Sequence, residues 1–170
     1  MQSAASHEKV CWHASLSIEK YHERDGERDE TPYEVYEKQG NVLTYGGASA
    51  LWDNFIGAGN VDPYDNTNAH LAVGNSSAAT AATQTDLQGG SKHYEPMDAT
   101  YPLHSDGTSS GSETIAYRST FETGDANFAW LECGLFNAVS GGRMLNRFTF
   151  SPGTKTSSDS WVLTVTLGLA

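Results

Sequence analysis

The chain has 170 residues, with 21 acidic and 10 basic side chains and a formal net charge of −11. This length suffices for one domain with a sizeable core and is too short for two comfortable ones. The scarcity of basic residues argues against nucleic acid as a partner, because phosphate binding needs a basic face that displaces counterions.

The N-terminal part begins with small polar residues, so we expect residues 1–8 to form a flexible arm and residues 9–170 to form a single domain. Neither a secretory signal peptide nor an apolar run long enough for a membrane span is expected here, which argues against a membrane partner. From Lys9 to Ile18, apolar and polar residues alternate, which predicts a half-buried β-strand. The acidic segment that follows has Asp25-Gly26 near its centre and predicts an exposed hairpin.

One segment, residues 47–56, carries apolar side chains at helical spacing. These are Ala48, Leu51, Trp52, Phe55 and Ile56. The pattern predicts a helix that packs Trp52 and Phe55 into the core. Gly57 is expected to cap its C-terminus.

The rest of the chain predicts short strands between turns rich in glycine and serine. They are "NAHLAVG", "KHYEPM", "ETIAYRSTF", "NFAWLECGLFNAV", "RMLNRFTF" and "SWVLTVTLGL". Together these elements predict an all-β fold, an antiparallel β-sandwich of jelly-roll-like type with one short helix near residues 47–56.

The stretch from Gly74 to Gly90, "GNSSAATAATQTDLQGG", is composed of small residues like a linker. A linker here would leave two halves with thin cores, so we expect an ordered connection within one domain. Leu87 is its predicted anchor to the core. Whether the stretch packs on the protein's own sheet or on a neighbouring subunit stays open.

Side chains that carry chemistry form no known catalytic motif, so we predict no enzyme activity, no catalytic residue and no cofactor. The segment "DPYDNTN" offers calcium-type oxygen ligands, although the same residues commonly form turns, which is the favoured interpretation. These weak metal candidates are Asp62, Asp65, Asn66 and Asn68.

Two cysteines and the three arginines in the C-terminal third of the chain are candidates for a disulfide bond and for ion pairs. Cys11 and Cys133 are expected to be free thiols, and the alternative is one disulfide between the first strand and a late one. Arg118, Arg143 and Arg147 are expected to pair with carboxylates across strands or subunits.

Several sequence segments occur in an order typical of one group of proteins. They are "CWHASLSIEKYH", "TPYEVYEKQGNVL", "GGASALWDNFIG", "NAHLAVGNSSAATAATQTDLQG", "YEPMDATYP", "STFETGDANFAW", "LFNA" with "GGRMLNR", and "GTKTSSDSWVLTVTLGLA". From about residue 11 to the end, the chain resembles structural proteins of tailed bacteriophages and tailed archaeal viruses. The resemblance implies a place in the virion. The acidic surface then suits a salt-loving host.

The resemblance implies a homo-oligomer that contacts other virion proteins, such as the major capsid protein. A capsid decoration, cement or turret subunit is the leading interpretation, and a tail, baseplate or fibre component is the alternative. A lesser alternative is a carbohydrate- or receptor-binding module, suggested by possible exposed aromatics at Tyr33, Tyr36, Tyr64 and Tyr101.

Loops displayed by a rigid core often carry recognition, so the contact surface is expected on three of them. These are the stretch from Gly74 to Gly90, the acidic 22–32 loop and the 104–112 loop. The predicted contact residues are Ala78, Ala79, Ala81, Ala82, Asp106 and Ser109.

Overall fold

Eleven β-strands and one α-helix lie in residues 11–169, the part of the chain that the computed structural model describes. They are β1 (Trp12–Arg24), β2 (Glu27–Arg28), β3 (Glu34–Gln39), β4 (Val42–Leu43), α1 (Tyr45–Phe55), β5 (His70–Gly74), β6 (Lys92–Pro96), β7 (Leu103–His104), β8 (Thr114–Phe121), β9 (Ala129–Phe136), β10 (Met144–Thr154) and β11 (Asp159–Leu169). The predicted arm over residues 1–8 and the predicted strand start at Lys9 fall outside this range.

The strands form two antiparallel sheets. In one, the order is β2-β1-β11-β8-β7, and β3 also pairs with β1. In the other, the order is β4-β10-β9-β5-β6. The chain crosses between the sheets after β3, β6, β8 and β10. The predicted all-β sandwich with one short helix is therefore confirmed.

Alternation along the strands builds the core between the sheets. On β1, Ala14, Leu16 and Ile18 are buried, whereas the serines between them are half-buried. At the centre, the ring of Trp130 lies edge-on to those of Phe121 and Trp161, with centroids 4.7 and 4.8 Å apart. Such edge-to-face pairs are a favourable arrangement of buried aromatic rings.

The acidic hairpin after β1 has the predicted turn. Asp25 and Gly26 both have positive φ, 55° and 82°. This is the backbone that a two-residue type I′ turn requires, and Asp-Gly is one of its preferred pairs. Glu27–Arg28 then pairs back onto the end of β1.

Helix α1 begins two residues before the predicted segment and is capped as expected at its end. The Thr44 hydroxyl oxygen accepts a hydrogen bond from the backbone N–H of Gly47, which is a standard N-cap contact. Gly57 has φ +65° directly after the helix, so the C-terminal cap is confirmed.

The predicted packing face of α1 is wrong. Its buried residues are Gly47 and Ala50, and a Cβ atom on Gly47 would lie 2.4 Å from the Leu145 Cα on β10. Trp52 and Phe55 are 67% and 83% exposed. The helix packs against β10 through small residues because they allow its backbone to approach the strand closely.

The cysteines are both free, with Cys11 exposed and Cys133 buried. The disulfide alternative is therefore wrong. Burial raises the pKa of the Cys133 thiol far above its ordinary value, so this side chain behaves as a small apolar group.

Among the described residues, no helix has both the length and the apolar character needed to cross a membrane.

Candidate functional site

An apolar groove lies between α1 and the ends of the first and last strands. Its volume is about 450 Å³. The residues lining it are Trp12, Leu43, Ala48, Leu51, Trp52, Phe55 and Leu169. None of these side chains is charged or ionisable.

The outer side of α1 continues the apolar surface beyond the groove. Ile56 and Tyr45, at the two ends of the helix, are each 71% exposed, and Leu169 at the end of β11 is 55% exposed. Trp52 and Phe55 pack edge-to-face with centroids 6.2 Å apart. Contiguous exposed apolar surface of this kind marks contact sites for other molecules.

The stretch from Gly74 to Gly90, here called the alanine loop, is held by a buried ion pair. Arg147 Nε on β10 donates to Glu132 Oε2 on β9 across 2.7 Å, and both side chains are fully buried. The Glu132 carboxylate also accepts the backbone N–H groups of Gln88 and Gly89, the latter at 2.6 Å. Arg147 Nη1 donates to the backbone oxygen of Ala78 at 2.9 Å.

The ion pair settles where the alanine loop packs. Both ends of the loop bond to side chains of the protein's own five-stranded sheet, and Gly74 must lack a Cβ because one would lie 2.5 Å from Glu132 Oε1. The open alternative of packing on a neighbouring subunit is not needed to order the loop. Arg147 thus pairs with a carboxylate across strands, as predicted.

Leu87 is the predicted anchor and lies 2% exposed in a small apolar cluster with Phe136 and Met144. Next to it, the Asp86 carboxylate accepts hydrogen bonds from Lys92 Nζ at 2.7 Å and from the Tyr94 hydroxyl at 2.6 Å. Partial burial acts to raise the pKa of Asp86, but these hydrogen bonds hold it below its ordinary value.

The alanine loop touches the start of α1. The backbone N–H of Tyr45 donates to the backbone oxygen of Ala82 across 2.8 Å. Ala78, Ala79 and Ala81 are exposed, and Ala82 is half-buried at this junction. Four of the predicted contact residues therefore lie on an ordered loop next to the helix that carries the apolar surface.

The other predicted contact residues lie elsewhere. Asp106 and Ser109 are exposed on the loop between β7 and β8, which belongs to the six-stranded sheet, whereas the alanine loop belongs to the five-stranded sheet. The fold does not place the two groups on a common loop or sheet.

The calcium candidates make turn contacts. Asp65 Oδ1 accepts the backbone N–H groups of Thr67 and Asn68 and the side-chain amide of Asn68. The Asn66 amide donates to two backbone oxygens. Asp62 is exposed, and its backbone oxygen accepts a hydrogen bond from the Asn137 side chain. These contacts match the turn interpretation.

Of the remaining candidates, Arg118 pairs with Asp98 at 2.7 Å, while Arg143 has no carboxylate partner within the described range 11–169. Tyr33 is 45% exposed, but Tyr64 is buried and donates its hydroxyl to the backbone oxygen of Arg143, so its predicted exposure is wrong. Tyr36 and Tyr101 are half-buried.

The groove was missed because its residues were assigned to the core. A signal was present: Gly47 and Ala50 are small residues three apart, and their side of the helix permits close backbone approach.

Comparison with known proteins adds nothing further, since no protein-family model, curated protein or solved structure matches the chain.

Proposed function

We propose that the chain is a structural subunit of a tailed-virus particle, of the capsid decoration, cement or turret type, that binds the shell and its own copies. The observation that carries the proposal is the apolar groove with the exposed Trp52 and Phe55 beside it. The resemblance to tailed-virus structural proteins is the reason for proposing that this contact is made in a virus particle.

Burial of these two rings is the principal source of binding energy. A fully buried aromatic side chain removes about 150–250 Å² from water, which at about 25 cal/mol per Å² corresponds to at most roughly 4–6 kcal/mol for each ring. Association costs a similar amount in lost freedom of motion. The surface is therefore sufficient for a modest contact that repeated copies strengthen by avidity.

The proposed occupant of the groove is a second copy of this chain. A net charge of −11 makes most of the surface repel another copy, whereas the groove lining carries no charge. The same surface carries both the groove and the exposed side chains of Phe55 and Ile56, so two copies could use one patch in a symmetric contact. The alanine loop beside it is then available for the shell.

Quantitative mass spectrometry of purified particles tests the role through the copy number of the protein. A decoration subunit is expected in hundreds of copies and a turret in tens, because it follows the symmetry of the shell. A count of about six or twelve would instead identify a baseplate part and overturn the capsid proposal.

A further inference from the structure

Three side chains with metal-binding atoms converge at the edge of the five-stranded sheet. His93 and Glu95 alternate along β6, so both point to the same side of this edge strand. Asp125 comes from the turn that joins β8 to β9. His93 Nε2 lies 2.8 Å from Glu95 Oε2 and 3.9 Å from Asp125 Oδ1.

These two distances lie on either side of the distance between ligand atoms of one metal ion. Ligand atoms about 2.1 Å from a zinc ion are about 3.0–3.4 Å apart, which lies between the two observed values. One ligand atom from each residue lies within 4.8 Å of the other two. Small side-chain rotations therefore suffice to bring all three atoms to an ion.

Contacts with neighbouring residues hold the His93 ring and the Asp125 carboxylate in place. The His93 ring packs against buried Phe121, with centroids 5.8 Å apart. Asp125 Oδ2 accepts the backbone N–H of Glu122, which leaves Oδ1 directed at His93. Lys155 is the nearby cation, and its ammonium donates to the backbone oxygen of Glu122 and to Asn127. Its charge opposes the metal but is outweighed by two carboxylates.

We propose that His93, Glu95 and Asp125 bind one divalent transition-metal ion, for which zinc is the best match. An imidazole nitrogen with two carboxylate oxygens suits zinc or manganese, whereas calcium and magnesium prefer oxygen ligands alone. The side chains are 31%, 19% and 32% exposed, so water or a group from another molecule completes the coordination. The bound ion ties the edge strand β6 to the β8–β9 turn.

Isothermal titration calorimetry with zinc chloride tests this proposal on protein without an affinity tag, after dialysis against a chelator. One zinc ion is expected per chain, with a rise in Tm on binding. Asp125→Asn and Glu95→Gln keep side-chain shape, and each is expected to weaken binding at least about tenfold. Asp106→Asn in the β7–β8 loop and His104→Ala at the end of β7 change exposed residues and are controls expected to bind like wild type.

The thermal unfolding of each variant without metal shows whether it is folded. Should His93→Gln lose stability through its contact with Phe121, the two carboxylate variants still decide the question. The proposal is overturned if wild type binds no zinc. It is equally overturned if Asp125→Asn and Glu95→Gln bind like wild type, or if His104→Ala weakens binding as much as they do.

Discussion

Among single residues, Glu132 and Arg147 hold the alanine loop, a segment of mostly small residues, against the five-stranded sheet. The pair lies on adjacent strands and holds three backbone groups of the alanine loop, those of Ala78, Gln88 and Gly89, where the loop has Leu87 as its one large apolar anchor. Arg147 Nη2 has no partner among the described residues, so the pair is not an optimised source of stability. Its role is to fix the conformation of the loop.

Removing one charge from this pair is expected to be costly. Glu132→Gln leaves the Arg147 guanidinium buried without its counter-charge, and breaking such pairs costs roughly 3–5 kcal/mol. Urea unfolding should show this loss, and limited proteolysis should show new cleavage in the alanine loop. Glu37→Gln, on the exposed face of β3, is the control and should unfold like wild type within about 0.5 kcal/mol. A Glu132→Gln protein as stable as the control would show that the Glu132–Arg147 ion pair does not hold the alanine loop.

Asp86 makes the same loop sensitive to acid. Its pKa is lower in the folded chain than in the unfolded one, so its contribution to stability is present above the unfolded pKa, which is about 4. The contribution is lost as the pH falls through the lower folded pKa. Asp86→Asn should therefore destabilise the protein at pH 6 and make little difference near pH 2.5. Urea unfolding at both pH values checks this, and an equal loss at each would contradict it.

At the scale of elements, α1 depends on a glycine for its position. Gly47→Ala places a methyl group against the backbone of β10, and overpacking of this kind costs about 1–3 kcal/mol. At neighbouring Gly46, the nearest atom to a new Cβ is Arg143 Cδ at 3.9 Å, so Gly46→Ala should be neutral or stabilising by up to about 1 kcal/mol. Thermal unfolding of the two variants compares them directly. Equal effects would show that the helix is not fixed by close contact at Gly47.

The strands were predictable because alternation records which face of a sheet is buried. The helix also followed from its spacing, but its packing face did not. Large apolar side chains at Trp52 and Phe55 normally point inward, and only the tertiary contact of Gly47 with β10 reverses this. Here the usual rule fails because the side of the helix that approaches β10 carries Gly47 and Ala50, and Trp52 and Phe55 remain exposed.

In the candidate sites too, some features could be predicted from the local sequence and others depend on tertiary contacts. Leu87 stands out in its stretch as the single large apolar residue, so its anchoring role could be inferred locally. The partner of Arg147 could not, since it depends on strand register. The cluster of His93, Glu95 and Asp125 joins residues 30 positions apart in the chain through the contact of β6 with the β8–β9 turn. No local pattern indicates it.

For the molecule as a whole, the negative charge opposes the proposed self-association, and the apolar groove favours it. The net charge of −11 makes copies of the chain repel one another, whereas the groove beside α1 is the surface through which we propose that they bind. Because salt screens the repulsion and strengthens apolar contacts, self-association should increase with sodium chloride concentration.

Sedimentation velocity over a range of protein and salt concentrations measures whether copies of the chain associate through the groove. Wild type should form a concentration-dependent dimer or higher oligomer that grows with salt, while Trp52→Ser/Phe55→Ser stays monomeric. This double variant should unfold within about 1 kcal/mol of wild type, since both side chains are exposed. Val35→Ser/Leu103→Ser removes exposed apolar groups outside the groove and should associate like wild type. A wild type that stays monomeric throughout, or a groove variant that associates as strongly as wild type, would contradict the account.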